Sequence, residues 1–364
     1  MLYIVPPAFT LSVLYFVSQK RSVRPDFKKV QLEALVFYIM GGFFSKLISS
    51  LTKRSNPDET FNPSQFLADI RQTTSALGAP YSESVTRACL ETFSASFRRG
   101  AVLWRATDKR GGALNYRFYE RMPIDTIGLA VNAGLLEPDT QLATLVNVWS
   151  SLYGGTPEQS CDFDANTGLV KTWVFLKGLR PLDDVLSAPG IPDSLRIHQA
   201  TFHSLNLRWV RHVSVDYEKD TVNLYFRAKG PISWEQAVKF NALAGADPPS
   251  DADFGQMKIF LNPQGFTFSV TLKLATGAIE RVGYYALKLP VGIFPSIDSA
   301  LRNFFAVAPS YDTEEMNAIA WSFGGKDGKT YVKAERSYCG QLVALMRDWN
   351  STFSDTEREK MANR

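Results

Sequence analysis

The sequence predicts an α+β fold in which an antiparallel, ten-stranded barrel of repeated αββα units is ringed by helices. Helical periodicity alternates with pairs of strand-like segments in five successive units from about residue 64 onward. Short turns join most of these pairs, which favours antiparallel strands with the helices on one face. Closing such a sheet removes its exposed edges, and about ten strands enclose room for a ligand. An open sheet under a helical layer is the alternative.

The individual elements follow from the spacing of apolar residues, which recur every three or four positions in helices and every second position in strands. The helical segments are 64–97, 142–153, 193–205, 234–244, 297–308 and 339–349. The strand-like segments are 101–107, 113–120, 168–176, 207–217, 221–228, 256–262, 265–275, 278–289, 317–325 and 330–338, with a weaker candidate at 161–164.

The regions outside the barrel are an N-terminal extension (1–54), a linker (55–63) and a polar C-terminal tail (351–364), which leave 64–350 for the main domain. Residues 2–17 are apolar but shorter than the ~20 residues that a membrane-spanning helix needs. Residues 32–48 carry the apolar stripe of an amphipathic helix. The extension is therefore an anchor that contacts a membrane, a helix packed on the main domain, or a product of a wrongly placed gene start.

Composition excludes several classes of protein. Of the 364 residues, 45% are hydrophobic and 21% are charged, so the chain is neither disordered nor of low complexity. The net charge of +4 is too small to indicate a nucleic-acid partner. The counts of three cysteines and three histidines disfavour a thiolate or histidine-rich metal site, and we expect no metal. The odd cysteine count fits a reducing compartment, so we expect a cytoplasmic monomer, with membrane association through the extension as the alternative.

Several predicted strands carry cations and aromatic residues on one face, because residues two apart share a face. These groups are Asn115, Arg117 and Tyr119; Lys171, Trp173 and Phe175; Asn223, Tyr225 and Arg227; Arg281, Gly283 and Tyr285; and Tyr331, Lys333 and Glu335. If helices cover the aliphatic face, the cations point inward, where burial is costly unless a polyanion such as diphosphate compensates them. Taken singly, each cation also fits a solvated strand face.

Four separated motifs resemble the CloQ/NphB group of soluble aromatic prenyltransferases, which have the ABBA or PT-barrel fold. They are ALNYRF (113–118), VKTWVFL (170–176), VDYEKDTVNLYF (215–226) and AIERVGYYAL (278–287), and the likeness extends from about residue 64 to 350. The resemblance implies a barrel of ten antiparallel strands ringed by helices. It also implies transfer of a prenyl group from an allylic diphosphate to an electron-rich arene.

The resemblance assigns roles to individual residues. Positions that match diphosphate-contacting residues of the family are Lys171, Asn223, Tyr225, Arg281 and Lys333, and Arg117 matches an arginine of the metal-independent members. Asn115 stands where magnesium-using members have an aspartate, so the resemblance implies no strict magnesium requirement and no other cofactor. The family's tyrosine after Phe-Ser-Val is absent at Thr271, and Lys273 is a candidate substitute.

We therefore expect an aromatic prenyltransferase of secondary metabolism that transfers a dimethylallyl or longer prenyl group to a phenol or dihydroxynaphthalene by metal-independent electrophilic alkylation. The expected catalytic residues stabilise the leaving pyrophosphate, and they are Arg117, Lys171, Arg281 and Lys333. Asn223, Tyr225 and Arg227 complete the expected diphosphate site, and Trp173, Tyr119 and Tyr285 form the expected pocket for the prenyl group and the arene.

The identity of the base that removes the ring proton stays open, because Glu280 has the strand parity of an outward-facing residue. A non-catalytic barrel that binds an aromatic or isoprenoid ligand is the alternative function. An enzyme that elongates or cyclises isoprenoids is disfavoured, because Asp183-Asp184 is followed by Val-Leu-Ser and does not form a DDxxD motif. The acceptor, the site of its alkylation and the prenyl chain length are not determined.

Overall fold

The computed structural model describes residues 61–109, 111–120, 122–154, 157–324 and 330–348. The predictions for the extension (1–54), most of the linker (55–63) and the tail (351–364) lie outside these ranges. None of the helices in the described ranges is long and apolar enough to cross a membrane.

Ten strands form one closed antiparallel barrel, in which each strand pairs with its neighbours in the chain and β1 pairs with β10. The strands are β1 (Ala101–Thr107), β2 (Asn115–Tyr119), β3 (Gln159–Asp164), β4 (Gly168–Pro181), β5 (Trp209–Asp216), β6 (Thr221–Ala228), β7 (Phe266–Lys273), β8 (Ile279–Ala286), β9 (Asn317–Gly324) and β10 (Tyr331–Cys339). The prediction of a closed ten-stranded barrel is confirmed, and the alternative of an open sheet is wrong.

Helices surround the barrel and connect its hairpins. They are α1 (Pro63–Leu77), α2 (Glu83–Thr92), α3 (Ser94–Arg99), α4 (Thr126–Asn132), α5 (Gln141–Ser151), α6 (Leu182–Ser187), α7 (Gln199–Ser204), α8 (Trp234–Ala242), α9 (Asp251–Phe260), α10 (Ser299–Val307) and α11 (Leu342–Asp348). Many of these helices follow a residue whose side chain accepts a hydrogen bond from an amide of the first turn, as Asn62 does for α1 and Thr140 does for α5.

Two sequence predictions of secondary structure are wrong, and the predicted helix 193–205 is only partly helical, with a 3₁₀ turn (Asp193–Leu195) followed by the short helix α7. The segment 256–262, predicted as a strand, belongs to helix α9, because Ser250 caps this helix by accepting a hydrogen bond from the amide of Asp253 and two aspartates lie in its first turn. The predicted helix 64–97 is three helices, since Gly78 adopts a φ of 63° and ends α1.

The two faces of the barrel wall differ in polarity as the strand parity predicts. On β6, the side chains of Leu224 and Phe226 are buried in the main core between the strands and the helices, whereas Asn223 and Tyr225 face the barrel interior. One end of this interior is apolar, because Leu103 and Met316 pack there against α11 in a separate hydrophobic cluster. The other end carries the charged side chains.

Candidate active site

The charged end of the barrel contains an open-mouthed cavity of about 310 Å³, which we call the polar chamber. Strands β1, β2, β4, β8 and β10 each contribute at least one basic side chain to its wall. The basic residues that line it are Arg105, Lys109, Arg117, Lys171, Lys219, Arg281 and Lys333. The acidic residues that line it are Asp164, Asp216, Glu218 and Glu335. Cations from strands far apart in the sequence therefore share one enclosed space.

A second cavity, of about 60 Å³, lies towards the apolar end, and we call it the apolar chamber. Its wall consists of Leu103, Tyr119, Arg211, His212, Thr267, Leu287, Met316, Leu342 and Met346, together with five side chains that also line the polar chamber. These five shared residues, which we call the junction, are Arg117, Trp173, Tyr225, Tyr285 and Glu335. A molecule with a charged and an apolar part can span both chambers through the junction.

The structure brings together six of the seven residues predicted to contact diphosphate. Arg117, Lys171, Asn223, Tyr225, Arg281 and Lys333 all line the polar chamber. Arg227 does not line it: although its parity is inward, it lies two residues beyond Tyr225 towards the apolar end, and its guanidinium lies beside Gly265.

The residues predicted for the prenyl and arene pocket also separate by depth. Trp173 and Tyr285 belong to the junction. Tyr119 lines the apolar chamber but not the polar one, and its ring centre is 5.3 Å from that of Phe175. Tyr119 therefore does not belong to the polar chamber.

Part of the basic cluster is neutralised by carboxylates in the barrel wall. Asp162 on β3 forms ion pairs with Arg117 and with Arg105, the latter with a distance of 3.0 Å from its Nη1 to Asp162 Oδ2. Burial opposes ionisation of Asp162, but the charge of Arg117 holds the pKa of this carboxyl group below its usual value. On β4, Lys171 Nζ lies 2.5 Å from Asp216 Oδ2. These three cations therefore have carboxylate partners within the barrel wall.

Lys333 and Arg281 differ from these cations, because neither forms an ion pair with an acidic residue in the part of the chain that the structure describes. Burial, together with the charges of Arg281, Arg105 and Lys171, lowers the pKa of Lys333 to about 8. Its nearest polar contact is the Tyr285 hydroxyl, at 3.4 Å. The Arg281 guanidinium carbon lies 5.6 Å from the centre of the Tyr331 ring. Among the chamber cations that lie on strands, the two without an acidic partner in the described residues are therefore on β8 and β10.

Thr271, at the position where the resemblance leads one to expect a tyrosine, takes part in a local hydrogen-bond chain. The Thr271 hydroxyl donates to Asn223 Oδ1 at 2.6 Å, and Asn223 Nδ2 donates to Ser214 Oγ at 3.2 Å. Lys273, the candidate substitute, does not line the chamber, because its ammonium donates to the carbonyl of Lys219 and lies 3.6 Å from Glu280. The substitution suggested for Lys273 is not supported by this geometry.

A family model for the Orf2 aromatic prenyltransferases matches residues 61–350. The chain belongs to this family. It is 58% identical over 299 residues to an aromatic prenyltransferase of Sclerotinia sclerotiorum, a match that covers 81% of this chain and 96% of the relative. It is 43% identical to the 4-hydroxyphenylpyruvate 3-dimethylallyltransferase of Streptomyces niveus, covering 82% of this chain and 92% of the relative.

The fold agrees with a solved prenyltransferase. The crystal structure of 5-dimethylallyltryptophan synthase from Streptomyces coelicolor superposes with a TM-score of 0.52 and 12% identity, covering 80% of this chain and 99% of that one. The family match and the curated relatives show that the protein is an enzyme that transfers a prenyl group to an aromatic acceptor, so the prediction of an aromatic prenyltransferase is confirmed, and the non-catalytic barrel is not supported.

Three residues of this aromatic prenyltransferase's site escaped the sequence analysis as functional candidates. Arg105 lies on β1, a strand for which the sequence analysis assigned no inward face. It shares one face of this strand with Thr107, two residues further along. Asp162 lies in β3, which the sequence indicated only weakly. Glu335 was grouped with Lys333 but received no role, since nothing in the strand pattern shows that it reaches the junction.

Proposed function

We propose that this aromatic prenyltransferase transfers a dimethylallyl group from dimethylallyl diphosphate to a phenolic arene, without a strict requirement for magnesium. The observation that carries this proposal is the unpaired charge of Arg281 and Lys333 inside a chamber that opens, through aromatic side chains, into an apolar chamber. A diphosphate in the polar chamber supplies the missing anion. Its prenyl chain then points towards the junction.

Ionisation of the donor breaks the bond between C1 of the prenyl group and the bridging oxygen, and pyrophosphate leaves with the electron pair. Fixed positive charge stabilises the negative charge that develops on the leaving group, the electrostatic effect that usually contributes most to catalysis. Lys333, Arg281 and Lys171 are placed to act on this group. The allylic cation forms beside the π-faces of Trp173, Tyr225 and Tyr285, which stabilise it by cation–π interaction.

The arene occupies the apolar chamber and attacks the cation from that side, so that a new carbon–carbon bond forms at the junction. The ring proton is then transferred to Glu335, a carboxylate that lines both chambers with 12% of its side chain exposed. An ion pair of 3.7 Å to Arg117 orients Glu335. Glu280 is not placed for this role, because it does not line either chamber.

The proposal that magnesium is dispensable rests on the composition of the polar chamber. Seven basic side chains line it, against four acidic ones, and supply positive charge that a divalent cation otherwise provides. Asn115 lines this chamber, and an amide oxygen is a weaker ligand for magnesium than a carboxylate.

The three cysteines are buried thiols, and we propose that the enzyme works in a reducing compartment such as the cytoplasm. We also propose that it is a monomer.

The experiment that tests the function is incubation of the protein with dimethylallyl diphosphate and either 4-hydroxyphenylpyruvate or dihydroxynaphthalene, in EDTA and separately with magnesium. We expect prenylated arene in both conditions, identified by mass spectrometry and NMR. Binding of donor and arene without product would support a non-catalytic barrel. Product that forms only with magnesium would overturn the metal-independence alone.

Replacement of the proposed base separates proton removal from donor binding. Glu335→Gln keeps the size of the side chain but removes the proton acceptor, so kcat should fall by ~10²-fold, whereas pyrophosphate should bind no more weakly than to wild type. Glu280→Gln, which removes a carboxylate outside both chambers, is the matched control and should retain kcat. Equal kcat values for wild type and Glu335→Gln would eliminate Glu335 as the base.

A further inference from the structure

We propose that Asp162 is a positioning residue that holds Arg105, Arg117 and Trp173 in the orientation the reaction needs, without touching the substrates. The inference rests on the proposed function, because it concerns the same junction. Asp162 lines neither chamber, and only 1% of the residue is exposed. Its effect on the reaction therefore passes through the side chains that it binds.

The carboxylate of Asp162 is fully used in hydrogen bonds. Its Oδ1 accepts from Trp173 Nε1 at 3.0 Å and from Arg117 Nε, and its Oδ2 accepts from Arg105 Nη1 at 3.0 Å and from Arg117 Nη2 at 3.1 Å. The donors come from β1, β2 and β4, whereas Asp162 lies on β3. One buried carboxylate thus connects side chains from three other strands.

These bonds fix the relation between a cation and an aromatic ring at the junction. Arg117 is bound at two of its nitrogens, which sets the plane of its guanidinium, and the bond to Trp173 Nε1 sets the rotation of the indole. As a result, the Arg117 guanidinium carbon lies 4.2 Å from the centre of the Trp173 ring. Both side chains face the position where leaving group, allylic cation and arene meet.

Charge and positioning make opposite predictions for the loss of Asp162. Removal of one negative charge from beneath the basic cluster should strengthen the binding of pyrophosphate by ~10-fold or more, because at an effective dielectric constant of about 20 two unit charges ~10 Å apart already change an affinity by more than tenfold. Loss of orientation should instead slow the chemical step and let the allylic cation react with water to give prenyl alcohol. A residue that only balanced charge or supported the fold would not change the partition between prenylated arene and alcohol.

Asp162→Asn tests this distinction, because the amide keeps the shape of the side chain while its NH₂ group faces the donors of the arginines. We expect tighter pyrophosphate binding by calorimetry, a ~30-fold lower kcat, equivalent to about 2 kcal/mol, and a larger share of donor converted to alcohol. Asp216→Asn is the matched control, since it removes one buried charge that pairs with Lys171 but holds no aromatic ring. It should strengthen pyrophosphate binding similarly, with a clearly smaller rise in alcohol.

Trp173→Phe serves as the second variant and covers the case in which Asp162→Asn does not fold. It keeps an aromatic ring but loses the bond to Asp162, so kcat should fall ~3- to 5-fold and the alcohol share should rise, with no gain in pyrophosphate affinity. Wild-type kcat and alcohol share in the folded variants would overturn the inference and leave the proposed function intact. A wild-type enzyme that makes no prenylated arene would overturn the proposed function, and the inference with it.

Discussion

Lys333 should make donor binding weaken as the pH rises above about 8. The side chain lies inside the barrel, where burial and the charges of Arg281, Arg105 and Lys171 lower its pKa from the usual 10.5 to about 8. Below pH 8 the amine is protonated and can bind pyrophosphate. At pH 9 roughly one free enzyme molecule in ten carries the proton, because each pH unit above the pKa changes the ratio tenfold.

The size of the effect follows from the pKa. A decrease from 10.5 to about 8 corresponds to about 3 kcal/mol of unfavourable interaction with the charged form, and access of water through the chamber mouth reduces this to about 2–3 kcal/mol. A bound diphosphate supplies the missing counter-charge and raises the pKa again. The ratio kcat/KM for the donor should therefore fall about tenfold per pH unit above pH 8, and pyrophosphate binding at pH 8.5 should take up most of one proton.

The assay is the pH profile of kcat/KM for dimethylallyl diphosphate, together with calorimetry of pyrophosphate binding in two buffers that differ in ionisation enthalpy. Lys333→Arg provides the control, because a guanidinium stays charged to pH 10 and beyond, so that the alkaline decrease should disappear. An unchanged alkaline decrease in Lys333→Arg, or binding of pyrophosphate without proton uptake at pH 8.5, would refute the assignment to Lys333.

The charge of Lys333 affects the stability of the fold in the opposite direction, because deprotonation weakens donor binding but stabilises the folded chain. The folded-state pKa of Lys333 is about 8 and the usual value is 10.5, so between these values the unfolded chain binds more protons. The free energy of unfolding should therefore rise with pH in this window. At pH 7 the buried ammonium destabilises the fold, and Lys333→Met should raise the midpoint of thermal unfolding while donor turnover is lost.

Two further predictions concern the two chambers. Arg281→Ala should lower kcat/KM for the donor by ~10²-fold, because a cation without an acidic partner is removed from the leaving group, whereas Arg227→Ala, outside the polar chamber, should leave pyrophosphate affinity near that of wild type; equal losses in steady-state kinetics and calorimetry would contradict the assignment. Met346→Ala should shift the kcat/KM ratio for dihydroxynaphthalene over a one-ring phenol by ~5-fold in favour of the larger acceptor, at a cost of ~2–4 kcal/mol in unfolding free energy. An unchanged ratio in competition assays would show that α11 does not bound the acceptor site.

The fold was predictable from the sequence because the strands of the barrel wall repeat one pattern, in which apolar side chains face the helices outside and the alternate side chains face the interior. On β6, alternation separates Leu224 and Phe226 from Asn223 and Tyr225, and the observed strand has the predicted bounds. The prediction for segment 256–262 was wrong, because periodicity does not distinguish a strand from a helix in so short an apolar run. Ser250 and the aspartates that follow it carried the decisive signal for helix α9.

The site was predictable in its parity but not in its depth. Arg227 and Arg117 have the same inward parity but lie at different depths in the barrel. A step of two residues along a strand moves a side chain by ~7 Å, which is enough to separate the two ends of a barrel. Asp162 could not be assigned, since its contacts with Arg105 and Arg117 depend on the register in which β1, β2 and β3 pair. Contacts of this kind depend on register, which strand patterns alone do not determine.

The most direct test of the central claim is a crystal structure with the thiolodiphosphate analogue of the donor, grown in EDTA. We predict that the diphosphate lies in the polar chamber within hydrogen-bond distance of Arg281 and Lys333, with the prenyl chain directed at Trp173 and Tyr225. A diphosphate bound outside this chamber, or bound within it only through a metal ion, would contradict the account.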